Sequence, residues 1–356
     1  GDIIGSPVLL PDEFKENKVL YSHHVTRLRL NEKTTANFLS HLLRLPLYRK
    51  YMLQNARGTT VLMLDMAAVK KIPIKYPADI RVQKKICRIL DTLDTQIRQT
   101  EAIIAKLQQV KQGLLHDLLT RGIDENSQLR PPYEQAPELY KASPLGWIPK
   151  EWEYGSVESF LECIIDYRGK TPQKTDSGIP LITAKNVRLG FVDRDPQEFI
   201  ATGEYSRWMT RGIPKSTDVL YTTEAPLGMV AQVDTDEKVA FAQRLIILRP
   251  KNGLEPSLLK YRLLTSQFQR SAIEKASGST ALGIKQSEFR KIVTCFPQCE
   301  REQKKIVVKL DSIEKEEQRL VENLNKLKKA KLGLMDGLLT GRVRVTELIE
   351  QAQQAS

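Results

Sequence analysis

Gln83-Lys84-Lys85-Ile86, with Leu90-Asp91 after it, returns 220 positions later as Gln303-Lys304-Lys305-Ile306 and Leu310-Asp311. Without any insertion, the same offset pairs Val19 with Val239, Leu28-Arg29 with Leu248-Arg249, Tyr48 with Phe268, Gly58 with Gly278, Thr60 with Thr280, Ile72 with Ile292 and Pro77 with Pro297. It goes on to pair Gly113-Leu114 and Leu118-Leu119-Thr120 with Gly333-Leu334 and Leu338-Leu339-Thr340. The chain therefore holds two copies of one structural unit.

Each copy ends in apolar residues spaced by alternating fours and threes. Ile86, Leu90, Leu93, Ile97, Ile104, Leu107, Leu114 and Leu118 form the first series, and Ile306, Leu310, Ile313, Leu320, Leu324, Leu327, Leu334 and Leu338 the second, with Lys111 and Lys331 at matching positions inside them. Sustained heptads of this kind predict a coiled coil. Roughly five heptads exceed what one small domain covers, so the two helices are expected to pair with each other. A helix of about 40 residues at ~1.5 Å per residue reaches ~60 Å, which makes it a spacer.

The rest of the chain falls around these helices. Residues 1–78 read as the C-terminal part of a first mixed domain, 79–121 as a central spacer helix and 122–153, with Pro131-Pro132, Pro137, Pro144 and Pro149, as a linker. Residues 154–298 read as a second, complete domain, 299–341 as a C-terminal spacer helix and 342–356 as a tail. Ile179–Thr183, Asp218–Thr222, Met229–Val233 and Leu245–Leu248 look like strands, whereas Pro256–Ala276 has helical spacing. The fold class expected is α+β. Gly1-Asp2-Ile3-Ile4 resembles Thr217-Asp218-Val219-Leu220, so about 65 to 70 residues matching Ile148 through Ser216 lack an upstream partner, as in an N-terminally truncated chain.

Lysine and arginine number 55 against 43 acidic residues, a net charge of +12 that favours a polyanionic partner. No apolar run approaches the ~18 residues of a membrane span and no signal peptide opens the chain, so a cytoplasmic protein is expected. Cys87, Cys163, Cys295 and Cys299 lack zinc-site spacing and read as reduced thiols, with Cys87 and Cys295 buried.

Catalytic motifs fail on inspection. Arg130-Pro131-Pro132-Tyr133 resembles an amino-methyltransferase motif, but arginine cannot accept the hydrogen bonds of a target amine. Gly169-Lys170-Thr171 resembles the end of a phosphate loop, yet Ile164 stands where that loop needs glycine. His23 and His24 lack the partners of a catalytic pair or metal site. Neither an enzyme nor a metal site is expected.

A globular domain, a long helix ending near Leu-Leu-Thr, and the same again resemble the layout of specificity (S) subunits of type I restriction-modification systems. Tyr167-Arg168-Gly169-Lys170-Thr171-Pro172, the stretch Gly178 to Val187, Asp218-Val219-Leu220 and the join Pro297 to Ile306 carry the resemblance locally. Where the family often has Pro-Leu-x-Glu-Gln, this chain has Glu302-Gln303 in the second copy and Val82-Gln83 in the first. The resemblance implies two target-recognition domains on antiparallel helices, each reading half of a bipartite asymmetric site in double-stranded DNA. It also implies docking of two adenine-N6 methyltransferase (M) subunits and of restriction (R) subunits, with S-adenosylmethionine, ATP and magnesium held by those partners and no cofactor here. Half-sites about one turn apart (~34 Å) present their grooves on one face, which such a rod can bridge. The alternative is a coiled-coil scaffold whose globular domains bind protein; a gel shift with random duplexes separates the two.

Candidate DNA contacts follow. Arg168, Lys170, Thr171 and Lys174 share a Gly/Pro-containing loop suited to phosphates and base edges. Lys185, Asn186 and Arg188 follow a predicted strand, asparagine suiting adenine and arginine guanine. Gln243-Arg244 and His23-His24 differ at equivalent positions of a matching framework, as two different half-sites require. Ser277, Gly278, Ser279 and Thr280 align with Arg57, Gly58, Thr59 and Thr60, where amides beside glycine suit a phosphate.

Overall fold

A computed structural model describes residues 6–10, 25–58, 63–167, 169, 171–278 and 281–345. The chain forms two compact units, Gly1–Ala105 with Arg319–Ser356, and Lys106–Gln318. The first holds α1 (Ala36–Leu43), α2 (Pro46–Gln54), α3 (Met66–Lys70) and the start of α4 (Ile80–Thr120), which continues into the second. The second holds β1 (Tyr140–Ser143), β2 (Gly146–Pro149), β3 (Trp152–Ser156), β4 (Leu161–Asp166), β5 (Lys174–Thr175), β6 (Ile179–Ile182) and β7 (Phe199–Ile200). After them come α5 (Tyr205–Trp208), β8 (Val219–Thr222), β9 (Val230–Gln232), β10 (Ala240–Phe241), β11 (Leu245–Pro250), α6 (Pro256–Leu264), α7 (Ser266–Glu274), α8 (Gln286–Phe289) and β12 (Val293–Pro297). Finally α9 (Glu300–Leu339) returns to the first unit.

The second unit is built on the antiparallel sheet β4-β11-β8-β9. Its central strands β8 and β11 read as continuous apolar runs because both faces are covered, and successive side chains alternate between two cores. Ile246, Leu248, Val219 and Tyr221 face a core shared with α6, α7, α8 and the long helices. Leu245, Ile247, Leu220 and Ile165 face a second core against the sheet β10-β6-β7-β5. The strand and helix expectations for this region hold.

Both long helices are present, and they pair antiparallel within each unit. In the second unit Lys111 Nζ lies 3.2 Å from Glu314 and 3.0 Å from Glu317, and Gln108 donates to Glu317 at 2.9 Å. In the first unit Lys331 pairs with Asp94, and Lys328 with Glu101 at 2.7 Å. Lys111–Glu314 and Lys331–Asp94 are the same pair seen in each copy, a polar contact inside an apolar seam that fixes its register. Glu314 also receives Lys260 and the Tyr261 hydroxyl. Burial works to raise its pKa, but the Lys260 and Lys111 charges and these hydrogen bonds outweigh it and hold the carboxyl below its ordinary value. In the first copy His41 Nε2 and Asn37 meet Asp91 while Lys331 occupies Asp94, so this histidine-carboxylate cluster is spent on hydrogen bonds and an ion pair.

The seam is graded. Ile86, Leu90, Ile306 and Leu310 are fully buried and Ile97, Ile104, Leu118 and Leu338 nearly so. Leu93, Leu107, Leu114, Ile313, Leu320, Leu324 and Leu327 are half-buried. Leu334 corrects the expected register: it is exposed, and Met335 is buried in its stead with Leu338 and Leu339, just as Leu115 joins Leu118 and Leu119 in the first copy. At 3.6 residues per turn the inward face drifts off a strict heptad. The helix end also docks on a wider globular core, which calls for a broader stripe than a two-helix seam.

Gln83 and Gln303 show why that short motif recurs. Each is buried where a long helix begins, and each side-chain amide donates to two carbonyls, Lys33 and Pro77 in one copy and Gly253 and Pro297 in the other. Its oxygen accepts from the backbone N–H of Thr35 or Glu255. A buried, fully satisfied glutamine thus staples helix to domain twice over.

The stretch expected to be a linker is part of the second unit's fold. Ile123, Ile148 and Trp152 enter its core, β1 and β2 form a hairpin, and Tyr133 stacks on Trp147 at 4.2 Å. Arg130 pairs with buried Glu302, which also accepts from the Ile123 amide and Trp152 Nε1. Burial opposes the Arg130 charge, yet Glu302 more than offsets it and raises its pKa. Gly122 (φ +65°) closes α4, and a Cβ there would fall 2.3 Å from the Glu302 carboxylate.

Cys87 and Cys295 are buried, as expected, whereas Cys299 is exposed. Burial, then the neighbouring Asp91 charge, pushes the Cys87 thiol up to about 11, and burial likewise raises Cys295. Iodoacetamide at pH 8 should therefore label Cys299 in the native protein and reach Cys87 and Cys295 only after denaturant. Native labelling of Cys87 as fast as Cys299, read by peptide mass spectrometry, contradicts this packing.

Candidate nucleic-acid interface

Three loops of the second unit meet in one polar strip. The turn entering β11 brings Gln243 to Thr171, the amide donating to the hydroxyl at 2.9 Å. Next to it Arg244 has φ +75°, in the left-handed region that non-glycine residues rarely occupy. The backbone holds it there because the Arg244 carbonyl accepts from Thr223 N–H at 2.9 Å, just beyond the β8–β11 ladder. The Arg244 side chain stays half-exposed, 3.0 Å from the half-exposed carboxylate of Glu224. Glu224 in turn bridges Gly283, which exchanges both backbone hydrogen bonds with Ser277.

Gly278 explains the end of this strip. It has φ +125°, and a Cβ would fall 2.2 Å from the Ala281 carbonyl, so only glycine makes the turn. Gly58 has the same φ, and Arg57 and Met63 repeat the bridge in the first unit. Arg57 is highly exposed there. Thr171, Gln243, Arg244, Ser277 and Gly278 are thus linked in one chain of contacts, the Thr171 hydroxyl to the Gln243 amide and the Arg244 guanidinium through Glu224 and Gly283 to Ser277. Glu224, which orients Arg244 from 20 positions away, carries no sequence signal and was missed.

Other candidates lie elsewhere or are otherwise engaged. Lys174 is half-exposed and paired with Glu198 at 2.7 Å. Lys185 is exposed, and Arg188 holds the Lys185 carbonyl and Asp193. This turn sits against the β9 edge, with Gly190 N–H donating to the Val230 carbonyl at 2.7 Å. Asn186 is a correction. It is buried, its oxygen accepts from Thr183 and its amide donates to the Asp193 and Pro196 carbonyls, leaving nothing for a base edge. Its role is to pin the turn that displays Lys185. Arg168, Lys170, His23, His24, Thr59, Thr60, Ser279 and Thr280 lie outside the described residues.

A duplicated frame, paired helices and a polar strip on one domain can be set beside known proteins. The family model for the type I restriction modification DNA specificity domain matches residues 12–109 and 149–329. The MjaVIII type I restriction enzyme specificity subunit of Methanocaldococcus jannaschii is 24% identical over 310 residues, 85% of this chain and 70% of that protein. Among solved structures, a type I restriction-modification S subunit from M. genitalium matches with a TM-score of 0.55 and 13% identity, over 86% of this chain and 73% of the other. A structure from work on complex assembly and conformational transition of the type I R-M system matches at 0.50 and 18%, over 88% and 73%. These two likenesses establish the shared fold, and the family match covers both copies. The chain belongs to the type I restriction-modification DNA specificity family and is a non-catalytic specificity subunit.

Proposed function

We propose that this chain reads a bipartite, asymmetric site in duplex DNA and serves as the platform on which adenine-N6 methyltransferase and restriction subunits assemble. One observation carries the reading: Arg244, held at positive φ with its guanidinium half-exposed beside Glu224, follows directly on Gln243, whose amide donates to Thr171. Uncommon backbone geometry on an exposed turn marks a side chain whose direction matters. Arginine and glutamine there supply the fork and amide that read guanine and adenine in the major groove. Their present partners, Glu224 and Thr171, hold both groups in place until base edges replace them. S-adenosylmethionine, ATP and magnesium belong to the partner subunits in this reading, and the assembly is cytoplasmic; no helix among the described residues is long and apolar enough to cross a membrane.

The test compares Arg244→Ala with Lys170→Ala in the assembled methyltransferase, on cognate and singly substituted duplexes across a salt series. Arg244→Ala should relax one half-site only, by the ~1 to 3 kcal/mol of a bidentate base contact. Lys170→Ala should weaken all duplexes alike and flatten the salt dependence. Equal weakening of every duplex by Arg244→Ala removes the assignment. Failure of the parent chain to retain any duplex, with its globular domains capturing protein instead, favours the scaffold.

A further inference from the structure

The two copies differ sharply in charge along one helix. In the first unit the outer face of α2 and its flanks carry Arg44, Arg49, Lys50 and Arg57, all exposed; the first three line a shallow groove with Pro46 and Leu53, and Arg57 lies beyond it, 4.0 Å from Asp65. The opposite face buries Tyr48 and Met52, so these cations cannot turn inward. At the equivalent positions the second copy has Leu264, Gln269, Arg270 and Ser277. Gln269 is committed to the fold of its own unit. Its amide donates to the Gly228 and Leu263 carbonyls, tying α7 to the turn after β8. Arginine replaces that amide in the first copy, on a helix that leads directly into the Arg57–Met63 bridge. The matching loop in the second unit, Ser277 to Gly283, borders the Arg244 strip.

We infer that α2 is a phosphate-gripping helix which binds the backbone of duplex DNA beside the first half-site, and that the second copy, which keeps a cation only at Arg270 among these positions, grips it less. The inference rests on the DNA-reading function proposed above and adds an unequal division of electrostatic work between the two units. Four cations displayed along one helix and its exit loop suit the repeating charges of a nucleic-acid strand, and such contacts carry no sequence information. A shallow groove with an apolar floor and a cationic rim offers little to a single base edge and much to a sugar-phosphate ridge. The first half-site would then be held mainly by charge, and the second, in proportion, by base contacts.

The experiment uses the full chain assembled with its methyltransferase subunits and measures binding of a random-sequence duplex from 50 to 300 mM salt. Arg49→Gln with Lys50→Gln should lower affinity about tenfold at the low-salt end and reduce the log-log salt slope by roughly 2, at ~0.9 for each phosphate no longer neutralised. Arg49→Lys with Lys50→Arg keeps the charges and should keep the slope, and base preference at either half-site should not change. Arg270→Gln in the second copy should move the slope by less than half as much. An unchanged slope in the double glutamine variant overturns the inference, and so does loss of methyltransferase assembly with DNA binding intact, which would make this face a protein contact. If the parent assembly itself shows no salt-dependent duplex binding, the underlying DNA-reading function fails rather than the role of α2.

Discussion

Replacing Glu302 with valine, the residue of the first copy at that position, should destabilise the second unit by about 3 to 5 kcal/mol. The carboxylate accepts from Arg130 Nη2 at 3.1 Å, from the Ile123 amide at 3.1 Å and from Trp152 Nε1 at 3.3 Å, all in a largely buried setting. Valine fills part of the space but leaves a guanidinium, an indole N–H and a backbone N–H without their acceptor, and unpaired buried groups dominate the cost. The cost should shrink when the cation is removed as well. Arg130→Met with Glu302→Val should be more stable than the sum of the single changes implies, because an apolar replacement of both partners deletes the orphaned charge. Urea unfolding followed by intrinsic tryptophan fluorescence measures the cycle. Additive losses would show that Arg130 and Glu302 do not depend on each other, contrary to their geometry.

Leu310→Asp should be as severe, at about 4 kcal/mol or more, since it deletes a fully buried leucine and puts a carboxylate into an apolar core. Leu107→Asp, at a half-buried position of the same seam, should cost only about 1 to 2 kcal/mol. The contrast follows from where the apolar surface lies. Leu310 sits in the core made by Leu115, Leu119, Leu258 and Phe289, whereas Leu107 is half-buried between immediate sequence neighbours on its own helix that are exposed. Thermal unfolding by circular dichroism reads both variants. Equal losses would mean that the middle of the helix pair is as tightly packed as its ends.

Periodicity made the helices legible, and repetition made their pairing legible. A heptad is a local signal, and the 220-residue offset multiplied its weight by showing the same spacing twice. The exposed Leu334 marks the limit of that signal, because a sequence pattern cannot say where a two-helix seam gives way to a globular dock. Asn186 failed for a different reason. Its residue type suits adenine and backbone carbonyls equally, and only the fold of the loop from Thr183 to Pro196 decides between them. The Glu302 hub joins residues 172 and 179 positions apart, beyond any spacing rule, although the Val82-to-Glu302 difference between copies was visible as an asymmetry. Of the candidate interface, the Gly278 turn and the Gln243-Arg244 pair could be read because they stood out against a matching frame, whereas Glu224 had no frame to stand out from.

The end of α9 supplies Met335, Leu338 and Leu339, with Val345 after it, to a core whose other buried members, Phe38, Leu42, Ile86 and Leu90 among them, lie between residues 38 and 90. On the ribosome that early segment must wait. At 5 to 20 residues per second, the residues separating Leu90 from Met335 take roughly 10 to 50 s to synthesise. Throughout that interval the nascent first unit displays an apolar face with no cover, a substrate for chaperones and proteases. The second unit, contiguous from Lys106 to Gln318, can close as soon as its own last helix has emerged. A message broken between Gln318 and Met335 therefore yields a chain with one closed unit and one unsealed one, which exposed apolar surface alone sets apart from a chain that reaches Leu339.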